Sequence, residues 1–105
     1  MKRQAITNTN GKWFDLETAE LYSENQEHNG SNWISLVTGS QFKHESLYRT
    51  SGGKWILNCW SNFQGTTETY ELISREQASK WFTKQMTEKY NMPQELEELA
   101  ELDEI

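Results

Sequence analysis

The sequence predicts a small α+β protein: an antiparallel β-meander of four to six strands, a C-terminal helix packed on it and a short acidic terminal helix. Three observations lead to this prediction. The chain has 105 residues, enough for one modest hydrophobic core. Turn sequences Asn10-Gly11, Asn29-Gly30 and Ser51-Gly52-Gly53 separate segments rich in β-branched and aromatic residues. After Ile73 the apolar period changes from two to 3.6 residues.

The strands follow from these turns and from the alternating segments between them. The predicted strands are residues 4–8, 13–16, 33–37, 43–50, 55–61 and 67–73. Residues 19–23 fit either a strand or a helical turn, and this alternative stays open at the level of sequence.

The clearest hairpin joins residues 44–50 to residues 54–60. On its second strand, one face carries Trp55, Leu57 and Cys59, and the other face carries Ile56, Asn58 and Trp60. Both faces are partly apolar. This pattern predicts a central hairpin covered by a helix on one side and contacted by a loop or a partner on the other. The register of the two strands is not determined by the sequence.

A helix is predicted to start at a capping box formed by Ser74 and Gln77. Its apolar stripe runs to about Tyr90 and consists of Ala78, Trp81, Phe82, Gln85 and Met86. Pro93 then breaks the chain and suits the first position of a second, acidic helix. We therefore divide the chain into a small domain, residues 1–92, and an acidic C-terminal helix or tail, residues 93–105.

Charge is distributed very unevenly between these two parts. Residues 1–93 hold ten acidic and ten basic residues, so the formal net charge of −6 comes entirely from residues 94–105, which contain no Lys or Arg. The acidic residues of this tail are Glu95, Glu97, Glu98, Glu101, Asp103 and Glu104. They are the predicted partner-binding residues.

Three interpretations of the tail remain open. In the first interpretation the tail is a solvated end that aids solubility, and its leucines pack on the domain. Alternatively, its carboxylates bind a basic surface on a protein partner and compete there with nucleic acid. In the third interpretation its leucine face forms a homodimer. Direct nucleic-acid binding by the tail is not expected, because both would be polyanions.

Residues that could carry catalysis are few, and the sequence predicts a protein that is not an enzyme. Cys59 would need His44 as its base, but the hairpin places the two on opposite faces or offset from one another. One Cys and two distant His residues give no zinc pattern, so no metal or cofactor is predicted. Since the chain has a single Cys, no apolar signal and no apolar span, we expect a cytoplasmic protein without a membrane partner.

The same hairpin offers a second functional interpretation. Basic and aromatic residues occur together on it, a combination that stacks and neutralises single-stranded nucleic acid. The residues of this alternative nucleic-acid face are Arg49, Lys54, Trp55 and Trp60. Core packing of the tryptophans is the competing explanation, and the balanced charge of the domain favours it.

Several fragments also resemble a loose set of small proteins from bacteria and their phages or plasmids. The fragments are Gly11-Lys12-Trp13-Phe14-Asp15 with Thr18-Ala19, Glu45-Ser46-Leu47-Tyr48-Arg49-Thr50, Gly53-Lys54-Trp55-Ile56-Leu57, and Glu76-Gln77-Ala78 with Trp81. The resemblance covers about residues 11–85. It implies a compact sheet with a helix, carries no agreed activity, and does not include the acidic tail.

A mobile-element context favours a small inhibitor of a host defence or nucleic-acid enzyme, because such inhibitors often compete for basic clefts. From the sequence we therefore expect a non-enzymatic protein-interaction module whose tail carboxylates bind a basic partner surface. A single-strand nucleic-acid-binding module is the alternative.

Overall fold

A computed structural model describes residues 1–62, 65 and 67–84 of the chain. Three predictions lie outside these residues: the continuation of the helix through Gln85 and Met86 to Tyr90, the acidic helix after Pro93, and the boundary between residues 92 and 93.

The described residues form eight strands and one helix. The elements are β1 (Arg3–Ala5), β2 (Trp13–Asp15), β3 (Glu20–Ser23), β4 (Gln26–His28), β5 (Trp33–Ser35), β6 (Lys43–Arg49), β7 (Trp55–Ser61), β8 (Thr69–Ile73) and α1 (Arg75–Lys84). Strands β3, β6, β7 and β8 make a four-stranded sheet in the order β3-β6-β7-β8. Strands β1 and β2 pair separately, as do β4 and β5. Every pairing is antiparallel.

The predicted α+β architecture is confirmed in outline, with antiparallel sheets and a helix that follows the last described strand. Strands β6, β7 and β8 form the expected meander. The two short hairpins, however, make sheets of their own rather than adding strands to the main one. Residues 20–23 are a strand, which settles the alternative left open by the sequence. Strand β4 was not predicted, because its three exposed residues Gln26, Glu27 and His28 carry no apolar signal.

One face of the main sheet packs against α1. Leu47 and Trp55 from the sheet and Trp81 and Phe82 from the helix are all at most 4% exposed. The Phe82 ring meets the Tyr22 ring edge-on, with centroids 5.2 Å apart. Burial of several large aromatic side chains supplies the apolar area that holds this short helix on the sheet.

The start of the helix is fixed by the predicted capping box. The Gln77 backbone N–H donates to Ser74 Oγ over 3.1 Å, and the Ser74 backbone N–H donates to Gln77 Oε1 over 3.0 Å. This reciprocal pair satisfies two backbone groups near the helix start that would otherwise lack partners.

The other face of the sheet is covered by the β1–β2 hairpin. Ile6 and Phe14 pack on Ile56, and the Phe14 ring lies 5.6 Å from the Tyr48 ring. The register that produces this arrangement pairs Leu47 with Leu57 and Tyr48 with Ile56. The central hairpin is thus covered on one face by the helix. On its other face, the β1–β2 hairpin covers only one end.

The loop after β1 also closes the outer edge of β8. The Leu72 backbone N–H donates to Asn8 Oδ1 over 2.9 Å, and Asn8 Nδ2 donates to the Leu72 carbonyl over 3.1 Å. The Thr7 backbone N–H donates to the Tyr70 carbonyl, and the Tyr70 N–H donates to Thr7 Oγ1. Because these bonds occupy the outward-facing groups of two β8 residues, they protect an edge that would otherwise pair with another chain.

We expect Asn8→Ala to lower the free energy of unfolding by about 1 kcal/mol, since it removes two hydrogen bonds to Leu72. It should also increase aggregation by freeing the β8 edge. Urea unfolding and light scattering measure the two effects. Asn10→Ala is the matched control, because the exposed Asn10 side chain makes no hydrogen bond among the described residues. Equal behaviour of the two variants would contradict edge protection by Asn8.

Candidate functional site

An open groove lies between the β4–β5 hairpin and the segments that flank β6 and β7. It has a volume of about 510 Å³. The residues lining it, which define the aromatic groove, are Gln26, Asn32, Trp33, Gln41, Phe42, His44 and Asn62. They come from four separate stretches of chain, so only the folded protein brings them together.

Two aromatic side chains are exposed in this groove. Trp33 is 59% exposed and Phe42 is 38% exposed, although both are large and apolar. Trp33 opens β5 directly after the Asn29-Gly30 turn, in which Asn29 Oδ1 accepts the backbone N–H of Asn32 over 2.9 Å. The His28 ring meets the Trp33 ring edge-on with centroids 5.1 Å apart. The indole is therefore held in place while much of its surface stays in water.

The polar lining of the groove consists of amides. Gln26, Asn32, Gln41 and Asn62 each present a side-chain amide, a group that can both donate and accept hydrogen bonds. The lining contains no Lys, Arg, Asp or Glu. The groove thus offers apolar contact and hydrogen bonding.

A buried His44–Glu24 pair supports the groove floor. His44 is 8% exposed, and its Nδ1 lies 3.0 Å from Glu24 Oε1. His44 Nε2 lies 3.0 Å from the Gln41 carbonyl and 3.2 Å from Asn62 Nδ2. Both ring nitrogens are thus engaged, and the ring also stacks on Trp60 with centroids 5.7 Å apart. Nε2 either donates to the Gln41 carbonyl or accepts from the Asn62 amide, so His44 lies beside both residues and bonds one of them at a time.

The Glu24 carboxylate links the end of β3 to β6. Its side chain is only 3% exposed, and Oε1 accepts the Glu45 backbone N–H over 2.9 Å as well as facing His44. Its second oxygen, Oε2, is buried and has no hydrogen-bond partner among the described residues. Burial of a carboxylate is costly, and the two bonds to Oε1 offset part of the hydration that it loses.

Cys59 and His44 do not form a catalytic pair. In the observed register His44 lies opposite Trp60 and Glu45 lies opposite Cys59, so the thiol and the imidazole are on different faces of the sheet. The Cys59 thiol donates to Glu45 Oε2 over 3.6 Å. Burial, reinforced by the Glu45 carboxylate, raises the pKa of Cys59 to about 11. Such a thiol is a weak nucleophile at neutral pH.

The four residues of the alternative nucleic-acid face are not gathered on one surface. Trp55 is 1% exposed and packs against Tyr22 and Phe82 beneath the helix. Trp60 lies on the opposite sheet face, beside His44. Arg49 pairs across the strands with Trp55, whereas Lys54 is exposed at the β6–β7 turn. Stacking a base on Trp55 would require the helix to leave the sheet.

The tail carboxylates predicted to bind a partner lie outside the described residues. They are Glu95, Glu97, Glu98, Glu101, Asp103 and Glu104. Among the residues that are described, no three His, Cys, Asp or Glu side chains are grouped so as to hold a metal ion. No helix in the described part of the chain has the length and apolar character needed to cross a membrane.

Sequence reasoning did not find the aromatic groove. A usable signal was present: Trp33 is a lone large aromatic residue after the polar stretch from residue 23 to residue 32. Phe42 stands nine residues further along, and its position beside Trp33 depends on how the β4–β5 hairpin folds back. The buried role of Glu24 had no sequence signal, because a Glu in a polar stretch reads as a surface residue.

Comparisons with protein-family models, with curated proteins and with solved structures find no match to this chain.

We expect Glu24→Ala to lower the free energy of unfolding by about 2–4 kcal/mol. The substitution leaves the buried His44 Nδ1 and the Glu45 backbone N–H without their acceptor. Urea denaturation followed by tryptophan fluorescence measures the loss. Glu27→Ala, at an exposed position on β4, is the control and should change stability by less than about 0.5 kcal/mol. Similar losses in both variants would show that the buried pair does not support this region.

The raised pKa of Cys59 predicts slow alkylation of the native protein. Between a thiol of pKa about 11 and an ordinary thiol of pKa 9.0, the thiolate fraction at pH 8 differs about 100-fold. Iodoacetamide should therefore modify native Cys59 about 100-fold more slowly than Cys59 in urea, and the native rate should keep rising with pH up to about 11. Mass spectrometry follows the modification. Equal native and unfolded rates would contradict the described environment.

Proposed function

We propose that this protein is a non-enzymatic protein-interaction module that binds a protein partner through the aromatic groove and through its acidic tail. One observation carries the proposal. Trp33 and Phe42 both stand exposed in a groove that is otherwise lined by amide side chains and by His44, which is paired with the buried Glu24 carboxylate.

The combination of side chains resembles a protein interface more than a small-molecule pocket. Tryptophan is enriched among the residues that dominate binding energy, and such residues lie within a ring of contacts that excludes water. Asn and Gln amides adapt to many backbone and side-chain partners. Small-molecule sites, by contrast, enclose most of their ligand, whereas this groove is open to solvent.

Rigidity beneath the groove supports the same proposal. The β4–β5 hairpin is fixed by the Asn29 turn, and the Asn62 backbone N–H donates to the Phe42 carbonyl over 3.0 Å. Binding loses less entropy when the contact residues are already ordered. Catalysis has less support in this part of the chain, because the His44 ring is fully engaged and the Cys59 thiol lies on the other face.

The acidic tail points to the chemistry of the partner. Six carboxylates without a neighbouring base complement a strongly basic surface, of the kind that binds nucleic acid. Together with the resemblance to small phage and plasmid proteins, this supports an inhibitor of a host defence or other nucleic-acid-handling complex in the cytoplasm. The groove would provide the apolar anchor, and the tail would provide the electrostatic one.

A pull-down from a host extract tests the groove. The intact chain is compared with Trp33→Ala, Phe42→Ala and Leu21→Ala, and each recovered protein is quantified. Leu21 is the control because it is 54% exposed but lies outside the groove. Loss of a central aromatic anchor should reduce affinity by about 30-fold or more, whereas Leu21→Ala should bind normally. Equal recovery by all four proteins would contradict the groove's role.

The same pull-down tests the tail with Glu97, Glu98 and Glu101 changed together to Gln. If the tail acts by charge, binding should weaken and its dependence on salt should fall. Unchanged recovery after deletion of residues 94–105 would remove the tail from the proposal and leave the groove as the interface.

A further inference from the structure

His44 lies between the buried Glu24 carboxylate and the lining of the aromatic groove. Its Nδ1 lies 3.0 Å from Glu24 Oε1, an oxygen that also accepts the Glu45 backbone N–H over 2.9 Å. An ionised carboxylate only accepts hydrogen bonds, so the bond to Glu24 requires a proton on Nδ1. Nδ1 is therefore committed to Glu24, and a change in the charge of the ring takes place at Nε2.

Nε2 faces two groups that require opposite protonation states. The Gln41 backbone carbonyl lies 3.0 Å away and only accepts, so its bond needs a proton on Nε2. Asn62 Nδ2 lies 3.2 Å away and only donates, so its bond needs an Nε2 without a proton. The charged ring thus suits Gln41, and the neutral ring suits Asn62.

We propose that His44 is a pH-dependent switch that sets which hydrogen-bonding atom Asn62 presents in the aromatic groove. With the neutral ring, Asn62 Nδ2 donates to Nε2, and Oδ1 is left as an acceptor. With the charged ring, Nε2 donates to the Gln41 carbonyl, and the Asn62 amide turns so that Oδ1 faces the ring. Nδ2 is then left as a donor.

The surroundings allow the amide to turn while the ring stays in place. His44 is 8% exposed, stacks on Trp60 and is bonded to Glu24, so its orientation is fixed. Asn62 has an exposed side chain, and its backbone N–H donates to the Phe42 carbonyl over 3.0 Å. A change of proton at Nε2 is therefore expressed as a rotation of the Asn62 amide.

Glu24 is the charged group that contacts the His44 ring within the described part of the chain. Lys43, Glu45 and Cys59 line a small pocket together with His44, but they extend from the opposite face of β6 and β7. Glu45 accepts the Cys59 thiol there, and the pKa of that thiol is raised to about 11 by burial. Histidine is the side chain that ordinarily changes charge between pH 5 and pH 8.

The switch gives the groove a different hydrogen-bonding character on each side of the transition. At higher pH, Asn62 offers an acceptor, and at lower pH it offers a donor. A partner that presents donors there, as the Lys and Arg side chains of a basic surface do, binds more tightly when the ring is neutral. This consequence rests on the proposed function, whereas the switch itself does not.

NMR spectroscopy of the purified ¹³C,¹⁵N-labelled chain between about pH 5 and pH 8 tests the switch. Long-range ¹H–¹⁵N correlations report the proton on each His44 ring nitrogen. We expect Nδ1 to keep its proton, Nε2 to lose one as the pH rises, and the Asn62 side-chain NH₂ signals to shift with the same midpoint. NOEs from that NH₂ group to the His44 ring should be strong only above the midpoint. Asn32 lines the same groove and should not follow the transition.

Three results would overturn the proposal: a ring that keeps one charge throughout, a neutral ring with its proton on Nε2, or Asn62 signals that do not follow the ring. His28→Asn is the matched control, because His28 is the other histidine of the chain and contacts Trp33. Loss of the Asn62 transition in this variant would assign it to His28 instead. In Glu24→Gln the midpoint should move to lower pH, since the imidazolium loses its countercharge. An unchanged midpoint would contradict the role of the pair.

A pull-down on both sides of the transition tests the use of the switch. Recovery of the partner should rise with pH, and Asn62→Ala should remove that dependence. Recovery that falls with pH, or that rises equally in Asn62→Ala, would contradict the acceptor role of Asn62. The NMR experiments need no partner, so their failure overturns the switch and leaves binding through Trp33 and Phe42 intact. Failure of every pull-down would instead overturn the proposed function alone.

Discussion

The antiparallel ladder between β6 and β7 is the interaction on which the rest of the structure depends. Seven consecutive residue pairs join these strands, from Lys43 opposite Ser61 to Arg49 opposite Trp55. Because side chains alternate between faces, this single register sends Leu47 and Trp55 into the helix core and Ile56 into the core under the β1–β2 hairpin. A slip by one residue would exchange the two faces and expose both cores.

The same ladder explains why one end of the sheet is covered and the other end is open. At the Arg49 end, apolar residues such as Tyr48 and Ile56 pack against the β1–β2 hairpin. At the Lys43 end the pairs are polar, with His44 opposite Trp60. His44 then recruits Glu24, Gln41 and Asn62, which build the floor of the aromatic groove. Covered and open surfaces thus follow from the order of apolar and polar pairs along two strands.

Local sequence signals predicted the fold well where a short motif is typical of one local structure. The Ser74–Gln77 capping box, the β7 boundaries and the glycine turn before Lys54 all follow from short-range chemistry. Gly53, for example, has a φ of 79°, which other residues rarely adopt. Strand β4 was missed because its pairing with β5 depends on the Asn29 turn and not on any apolar pattern of its own.

The candidate site was far less predictable, because its residues come together only through tertiary structure. Trp33 and Phe42 line one groove although nine residues separate them, and the buried Glu24 meets partners that lie about twenty residues away, the His44 ring and the Glu45 backbone N–H. For the tryptophans of the central hairpin the sequence offered both binding and packing, and the balanced charge of the domain favoured packing. Their burial follows from the register, which the sequence leaves open, and it places Trp55 in the core.

Two-dimensional NOE spectroscopy of the protein in solution tests the central register most directly. With His44 opposite Trp60 and Tyr48 opposite Ile56, cross-peaks should join the His44 and Trp60 ring protons and the Tyr48 ring to the Ile56 methyl groups. Contacts of His44 with Cys59 in place of Trp60 would instead reveal a slip of one residue. That result would contradict the two cores and the aromatic groove described for this fold.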